Sequence, residues 1–180
     1  MLNLRSKITR AVLGYFMLHE GAEFYVHEMA RRLSLDQKNL DRKLKELEKE
    51  GIFKSERRGM ERYYSLNPSF PLLKEYKRIV LKTIGLEHLL EEALRRVKGL
   101  KRAYLFGSYA KGQMDAVSDI DLLVVGDHDT LELQKEIAEI QKSTGREINV
   151  ISLGSAEYKK KQKGDPFVRS ISQGKKIQIL

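Results

Sequence analysis

The residues with the clearest capacity for chemistry lie within residues 105–125. An apolar run leads there into Gly107 and Ser108, and an Asp-Ile-Asp triplet follows after ten intervening residues. Because side chains on a strand alternate between faces, Asp119 and Asp121 are predicted to project from the same face. Two carboxylates this close repel each other and raise each other's pKa unless a cation lies between them. The pair therefore predicts a site for a hard divalent ion such as Mg²⁺.

The Gly-Ser pair predicts a phosphate-binding turn. A turn of this kind ahead of a short helix offers backbone N–H groups and a hydroxyl to a phosphate. Gly107 and Ser108 are the predicted triphosphate contacts, and Lys111 adds a positive charge nearby. Such a turn beside a carboxylate pair is typical of nucleotidyl transfer, in which a hydroxyl attacks the α-phosphate of a nucleoside triphosphate. The alternative is an ordinary loop and an edge strand with solvated acids.

This spacing of Gly-Ser and Asp-Ile-Asp resembles the signature of the DNA polymerase β-type nucleotidyltransferase superfamily, and the small size resembles its minimal branch. The resemblance implies a third carboxylate on a later strand, which completes the metal site and accepts the proton of the attacking hydroxyl. Asp119, Asp121 and Glu147 are therefore the expected catalytic residues and Mg²⁺ ligands, with Asp115 as an alternative ligand. If Glu147 cannot act as the third ligand and proton acceptor, the domain would bind nucleotide without turnover. The expected nucleotide is ATP.

The resemblance also bears on the acceptor. Members of the minimal branch lack the extra domains that bind template or acceptor in larger relatives, so the acceptor surface is expected from a second subunit or a partner protein. Some minimal nucleotidyltransferases that this chain resembles are antitoxins that adenylylate a tyrosine of a HEPN-type partner. An antitoxin-type adenylyltransferase is therefore one alternative function.

The N-terminal region is predicted to form a winged helix-turn-helix. Apolar periodicity predicts helices at 4–18, 26–33 and about 37–50, and two β-rich runs at 52–57 and 62–66 predict a hairpin. The order resembles ArsR-type and MarR-type regulators. The third helix and the hairpin would contact double-stranded DNA through these polar side chains: Gln37, Lys38, Asn39, Arg42, Lys43, Lys45, Arg57, Arg58 and Arg62. The alternatives are a solvated helix face and a domain that binds protein.

These patterns predict an α+β chain of three parts. A winged helix-turn-helix domain is expected at 1–67, because Asn67-Pro68 is typical of a boundary. A helical linker is expected at 68–98, as one long helix or two that meet near Gly85. The remainder, 99–180, alternates strands and helices and is predicted to be a polymerase β-type nucleotidyltransferase domain with a mixed sheet.

Composition limits the remaining possibilities. The formal net charge is +9, and the excess leans toward the N-terminal half, which is compatible with a polyanionic partner. The chain contains no cysteine, which excludes disulfides and cysteine zinc sites. Without a signal sequence or an apolar run of membrane-spanning length, the expected location is the cytoplasm and no membrane partner is expected. A homodimer is expected because winged-helix regulators commonly dimerise. The further alternative is a regulator whose C-terminal domain only senses nucleotide.

Overall fold

The computed structural model describes residues 4–114 and 118–180, so the alternative ligand Asp115 lies outside the described residues. The chain divides into two compact units, Met1–Leu86 and Glu87–Leu180. Of the residues predicted to form a linker, 68–86 belong to the first unit and 87–98 to the second.

The first unit combines four helices with a small antiparallel sheet. In chain order its elements are α1 (Lys7–Leu18), β1 (Phe24–Tyr25), α2 (Val26–Arg32), α3 (Gln37–Lys49), β2 (Phe53–Arg58), β3 (Glu61–Leu66) and α4 (Leu73–Thr83). The strand order is β1-β3-β2. The first three helices and the hairpin lie where the sequence predicts them, whereas the two-residue strand β1 is too short to give an alternating pattern.

Local signals explain the limits of α3. The Asp36 carboxylate accepts a hydrogen bond from the Asn39 backbone N–H at 2.9 Å and caps the helix start. Leu40, Leu44 and Leu47 recur at helical spacing and are all buried. This burial leaves the polar side chains of α3 on its outer surface.

The second unit is built on a mixed sheet. Its elements are α5 (Leu86–Leu94), β4 (Leu100–Phe106), α6 (Gly107–Lys111), β5 (Ile120–Gly126), α7 (Thr130–Thr144), β6 (Ile148–Leu153), α8 (Ser155–Gly164), α9 (Pro166–Gln173) and β7 (Ile177–Gln178). The strand order is β6-β5-β4-β7, with β5 and β6 parallel and the other pairs antiparallel. The predicted mixed sheet is confirmed. Two helices, α4 (Leu73–Thr83) and α5 (Leu86–Leu94), meet near Gly85, as the second alternative predicted.

One face of the sheet in the second unit carries an apolar core, and polar residues lie beside it where the strands begin. Tyr104, Leu123 and Leu153 pack there against buried side chains of α8 and α9. By alternation, residue 121 projects from the same face as Leu123. The helices therefore fix the sheet on the side from which Asp121 projects. Within the described residues, the helices are too short or too polar to cross a membrane.

Candidate active site

The carboxylate pair lies where β5 begins. Asp119 precedes the strand and is exposed, while Asp121 is its second residue and is half-buried. Partial burial raises the pKa of Asp121, and the charge of Asp119 adds to that rise, while a hydrogen bond from Asn149 acts in the opposite direction. The structure thus brings the two acids together, and their mutual repulsion makes the pair a place where a cation is favoured.

Gly107 lies directly against the Asp121 carboxylate. Phe106, the last residue of β4, is the register partner of Asp121, so the chain turns into α6 beside this carboxylate. A Cβ added to Gly107 would lie 2.1 Å from Asp121 Oδ2, and the residue has a positive φ of 66°. Both constraints demand glycine, because any side chain here would displace the carboxylate.

The short helix α6 is anchored by Tyr109. The tyrosine is 8% exposed, and its hydroxyl donates a hydrogen bond to Glu87 Oε1 at 3.3 Å. Burial raises the pKa of Tyr109, with the Glu87 charge adding to the rise, so the hydroxyl stays protonated and able to donate. Ser108 is half-buried at the start of this anchored helix, and Lys111 is exposed at its end. Tyr109 therefore packs and holds the Gly-Ser turn in place.

The later strand places an amide beside the acids. Asn149 of β6 is the register partner of Asp121, and its Nδ2 donates a hydrogen bond to Asp119 Oδ2 at 3.2 Å. Glu147, the predicted third acid, immediately precedes β6 and is exposed, and its backbone carbonyl accepts the Ile120 N–H at 3.0 Å. The sequence alone does not show that Asn149 lies beside the acids, because this depends on the register of the parallel strands β5 and β6.

Arg146 supports the same corner. It is only 6% exposed, and its Nη1 donates a hydrogen bond to the backbone carbonyl of Ser118 at 3.3 Å. Ser118 immediately precedes Asp119, so the guanidinium helps to fix where the first acid enters the site. The sequence gives no signal for this role, because the burial of Arg146 becomes visible only in the fold.

The donor set suits a metal that arrives with a substrate. Across residues 4–114 and 118–180, no group of three His, Cys, Asp or Glu side chains is placed to hold a metal ion. Asp119 and Asp121 supply hard carboxylate oxygens, and Mg²⁺ characteristically binds through one or two carboxylates together with substrate phosphates. The residues present therefore fit a divalent ion completed by a triphosphate.

The destabilising charge of Asp121 gives a stability prediction. A raised pKa means that the ionised form costs folded-state stability, and this cost disappears as pH falls through that pKa. Asp121→Asn removes the charge with almost no change in shape. We expect its melting temperature at pH 7.5, without divalent metal, to rise on the order of 2 °C.

Thermal denaturation at several pH values checks this expectation. The advantage of Asp121→Asn over the wild-type protein should shrink as pH falls, because Asp121 itself becomes neutral. A lower melting temperature for the variant at pH 7.5 would contradict it.

The cations predicted to contact DNA fall into two groups. Ion pairs engage Lys43 with Glu46, Lys45 with Asp41 at 2.7 Å, Arg58 with Glu23 at 2.9 Å and Arg62 with Glu48 at 3.8 Å. Lys38, Arg42 and Arg57 are exposed, and no carboxylate of the described residues lies at ion-pair distance from them. Of the predicted amides, Gln37 contacts His27 at 3.3 Å and Asn39 accepts from Arg42 at 3.3 Å.

Comparison with known proteins identifies the family. Residues 86–179, more than half of the chain, match the family model described as a nucleotidyltransferase domain. The chain belongs to this family, which confirms the nucleotidyltransferase predicted from the Gly-Ser and Asp-Ile-Asp spacing. A protein of Methanocaldococcus jannaschii that is provisionally named a protein adenylyltransferase is 39% identical over 59 residues, or 32% of this chain and 63% of the relative. The chain thus spans less than two thirds of that curated relative.

Solved structures give more distant similarities. The toxin–antitoxin complex MntA–HpeT contains a chain that matches 53% of this chain and 73% of its own length, at 17% identity and a TM-score of 0.41. A complex of the tri-AMPylated Shewanella oneidensis HEPN toxin with MNT antitoxin contains a chain matching 53% of this chain and 72% of its own, at 18% identity and a TM-score of 0.32. Similarities this distant assign neither a substrate nor a partner.

Proposed function

We propose that the second unit transfers a nucleoside monophosphate from a nucleoside triphosphate to an acceptor hydroxyl. The observation that carries the proposal is the contact of Gly107 with the Asp121 carboxylate, with Asp119 beside it. A phosphate held at the Gly-Ser turn would lie next to the two acids. The acceptor oxygen forms the new bond to the α-phosphorus, the bond to the bridging oxygen breaks, and pyrophosphate leaves.

Asp119 and Asp121 are the residues that would hold a divalent ion, with Mg²⁺ as the first candidate. When bound, such an ion neutralises negative charge on the triphosphate and on the leaving group. The backbone at Gly107 allows close approach of the phosphates, Ser108 offers a hydroxyl, and the exposed Lys111 offers a positive charge. Glu147 remains the residue predicted from the resemblance as a third ligand and proton acceptor.

The acceptor that we propose is a hydroxyl of a partner protein, with ATP as the nucleotide donor. The named activity of the Methanocaldococcus jannaschii relative supports protein adenylylation. A HEPN-type partner, as implied by the resemblance to antitoxin nucleotidyltransferases, is the first acceptor to test. Incubation of the full chain with α-labelled ATP, Mg²⁺ or Mn²⁺ and the purified partner candidates should label one of them. Absence of labelled protein with every metal and nucleotide would reject transfer to protein.

A second candidate function concerns the first unit, which we propose to be a winged helix-turn-helix domain that binds double-stranded DNA. Three helices followed by the β2–β3 hairpin agree with that architecture, and α3 turns its polar side outward. Lys38, Arg42 and Arg57 are exposed and lack carboxylate partners among the described residues, so phosphates would not have to displace an acid from them. The ion pairs of the other predicted cations would weaken their contribution.

This division of cations gives a testable expectation. Alanine at Lys38, Arg42 and Arg57 together should reduce DNA affinity and lower the slope of log affinity against log salt by roughly 0.9 for each lost phosphate contact. Fluorescence anisotropy across a salt series measures both quantities. The matched control removes three exposed cations of α4 from the same unit: Lys74, Arg78 and Lys82. Equal losses in the two variants would indicate a general charge effect and contradict a specific DNA surface.

Nucleotide sensing is the alternative that joins both units. In that case operator binding changes with nucleoside triphosphate while no transfer is detectable. A gel shift with and without nucleotide distinguishes the sensing hypothesis from the enzyme hypothesis. Unaltered DNA binding would count against sensing.

The predicted homodimer is tested by light scattering on the full chain.

A further inference from the structure

Asn149 lies at the position that faces the second acid. In the parallel pairing of β5 with β6, Asp121 is aligned with Asn149 and Leu122 with Val150. Aligned residues in neighbouring strands project from the same face of the sheet. The amide of Asn149 is therefore on the side of the sheet where Asp119 and Asp121 meet.

The amide bonds one acid and lies opposite the other. Its Nδ2 donates to Asp119 Oδ2 at 3.2 Å. Asn149 is also the register partner of Asp121, and its side chain lowers the pKa of that carboxyl. Ionised carboxylates only accept hydrogen bonds, so the amide must present its N–H groups and not its carbonyl to them. One neutral group thus fixes the Asp119 carboxylate by a hydrogen bond while it faces the Asp121 carboxylate from the neighbouring strand.

We propose that Asn149 is a positioning residue that fixes the carboxylate pair, so that the site holds its divalent ion with two negative side chains and one neutral amide. The inference rests on the proposed function of the second unit. Its chemical consequence is a site of lower negative charge, which binds the free metal weakly and depends on the triphosphate to complete the ligand set. Glu147, exposed and outside the strand, is not required for this arrangement.

Three variants test the proposal in the full-length chain. Asn149→Ala removes the hydrogen bonds, Asn149→Asp keeps the shape but adds a third negative charge, and Asn149→Ser is the substitute if alanine does not fold. The matched control is Gln134→Glu, an amide-to-acid change at an exposed position of α7. Melting temperature is measured in EDTA and across a Mg²⁺ titration, and calorimetry measures binding of a non-hydrolysable ATP analogue with Mg²⁺.

We expect Asn149→Ala to weaken binding of the Mg²⁺–nucleotide by about 10-fold. Asn149→Asp should melt below the wild type in EDTA, because three acids then repel, and should require about 10-fold less Mg²⁺ for half-maximal stabilisation. Gln134→Glu should change neither quantity.

Several outcomes would overturn the proposal. One is a set of Asn149 variants that alter melting in EDTA but leave the Mg²⁺ response unchanged, since that describes a purely structural role. Another is loss of Mg²⁺–nucleotide binding in Glu147→Gln with wild-type binding in Asn149→Ala. If the wild-type chain binds no Mg²⁺–nucleotide, the proposed function fails. The inference on Asn149 is then judged by Asn149→Asp alone. Stabilisation of this variant by Mg²⁺ supports the inference, and absence of such stabilisation overturns it.

Discussion

Replacing both acids, Asp119→Ala with Asp121→Ala, should reduce nucleotidyl transfer by roughly 10³-fold or more. The Asp121 carboxylate lies against Gly107 of the Gly-Ser turn, and the Asp119 charge acts on it from the residue before β5. Without them, the site loses the two carboxylates that we propose as the holders of the divalent ion. Transfer of label from α-labelled ATP to the acceptor, followed over time, measures the loss.

The double variant is expected to remain folded, because the repulsion between the two acids destabilises the folded state and is absent from the variant. Circular dichroism and the melting temperature verify this. Glu139→Ala serves as the matched acid-to-alanine control, since Glu139 is exposed on α7. Transfer by the folded double variant at more than about a tenth of the wild-type rate would exclude the two aspartates as the metal-holding residues.

Substitution of Gly107 by alanine should have the second-largest effect. The new methyl group would lie 2.1 Å from Asp121 Oδ2, so the carboxylate or the turn must move. A displacement of about 1 Å in a catalytic group can cost roughly 10²-fold in rate. We expect a loss of that size in transfer, together with a clear reduction in stability from the positive φ of 66°.

Gly112 supplies the matched control for this substitution. It ends the same short helix with a φ of 71°, but a Cβ there would meet nothing within 4 Å. Gly112→Ala therefore carries the backbone strain, roughly 1–2 kcal/mol, without the contact with Asp121. Comparison of the two variants by denaturant unfolding and by transfer rate separates strain from displacement. Equal transfer rates would show that the contact between Gly107 and the carboxylate has no catalytic importance.

The sequence predicted the fold best where one signal was repeated. Apolar periodicity predicted α3 to within a residue of its bounds, and the alternation of strands and helices predicted the mixed sheet of the second unit. Strand β1, with two residues, has no period to detect and is specified by its pairing of Phe24 with Tyr64. The sequence allowed a helix break near Gly85, but it did not predict that the two compact units divide there, because the amphipathic pattern continues across this point.

For the site, local spacing placed Gly107, Asp119 and Asp121 together, because a turn and a strand start joined by one short segment must lie close. The position opposite Asp121 depends on a parallel strand that returns after α7, and its register cannot be read from spacing. The resemblance directed attention to Glu147, whereas the structure aligns Asn149 with Asp121. Arg146 was missed because its burial and its hydrogen bond to the Ser118 carbonyl arise from the folded chain, and no sequence motif encodes them.

The parallel alignment of β5 and β6 has a consequence for how this chain can change during evolution. Loss or gain of one residue between α7 and β6 would shift the second strand by one step, and alternating side chains would exchange faces. Asn149 would then point away from the acids while apolar neighbours entered the polar corner. The connection that leads through Gly145 into β6 therefore has to keep a constant residue count.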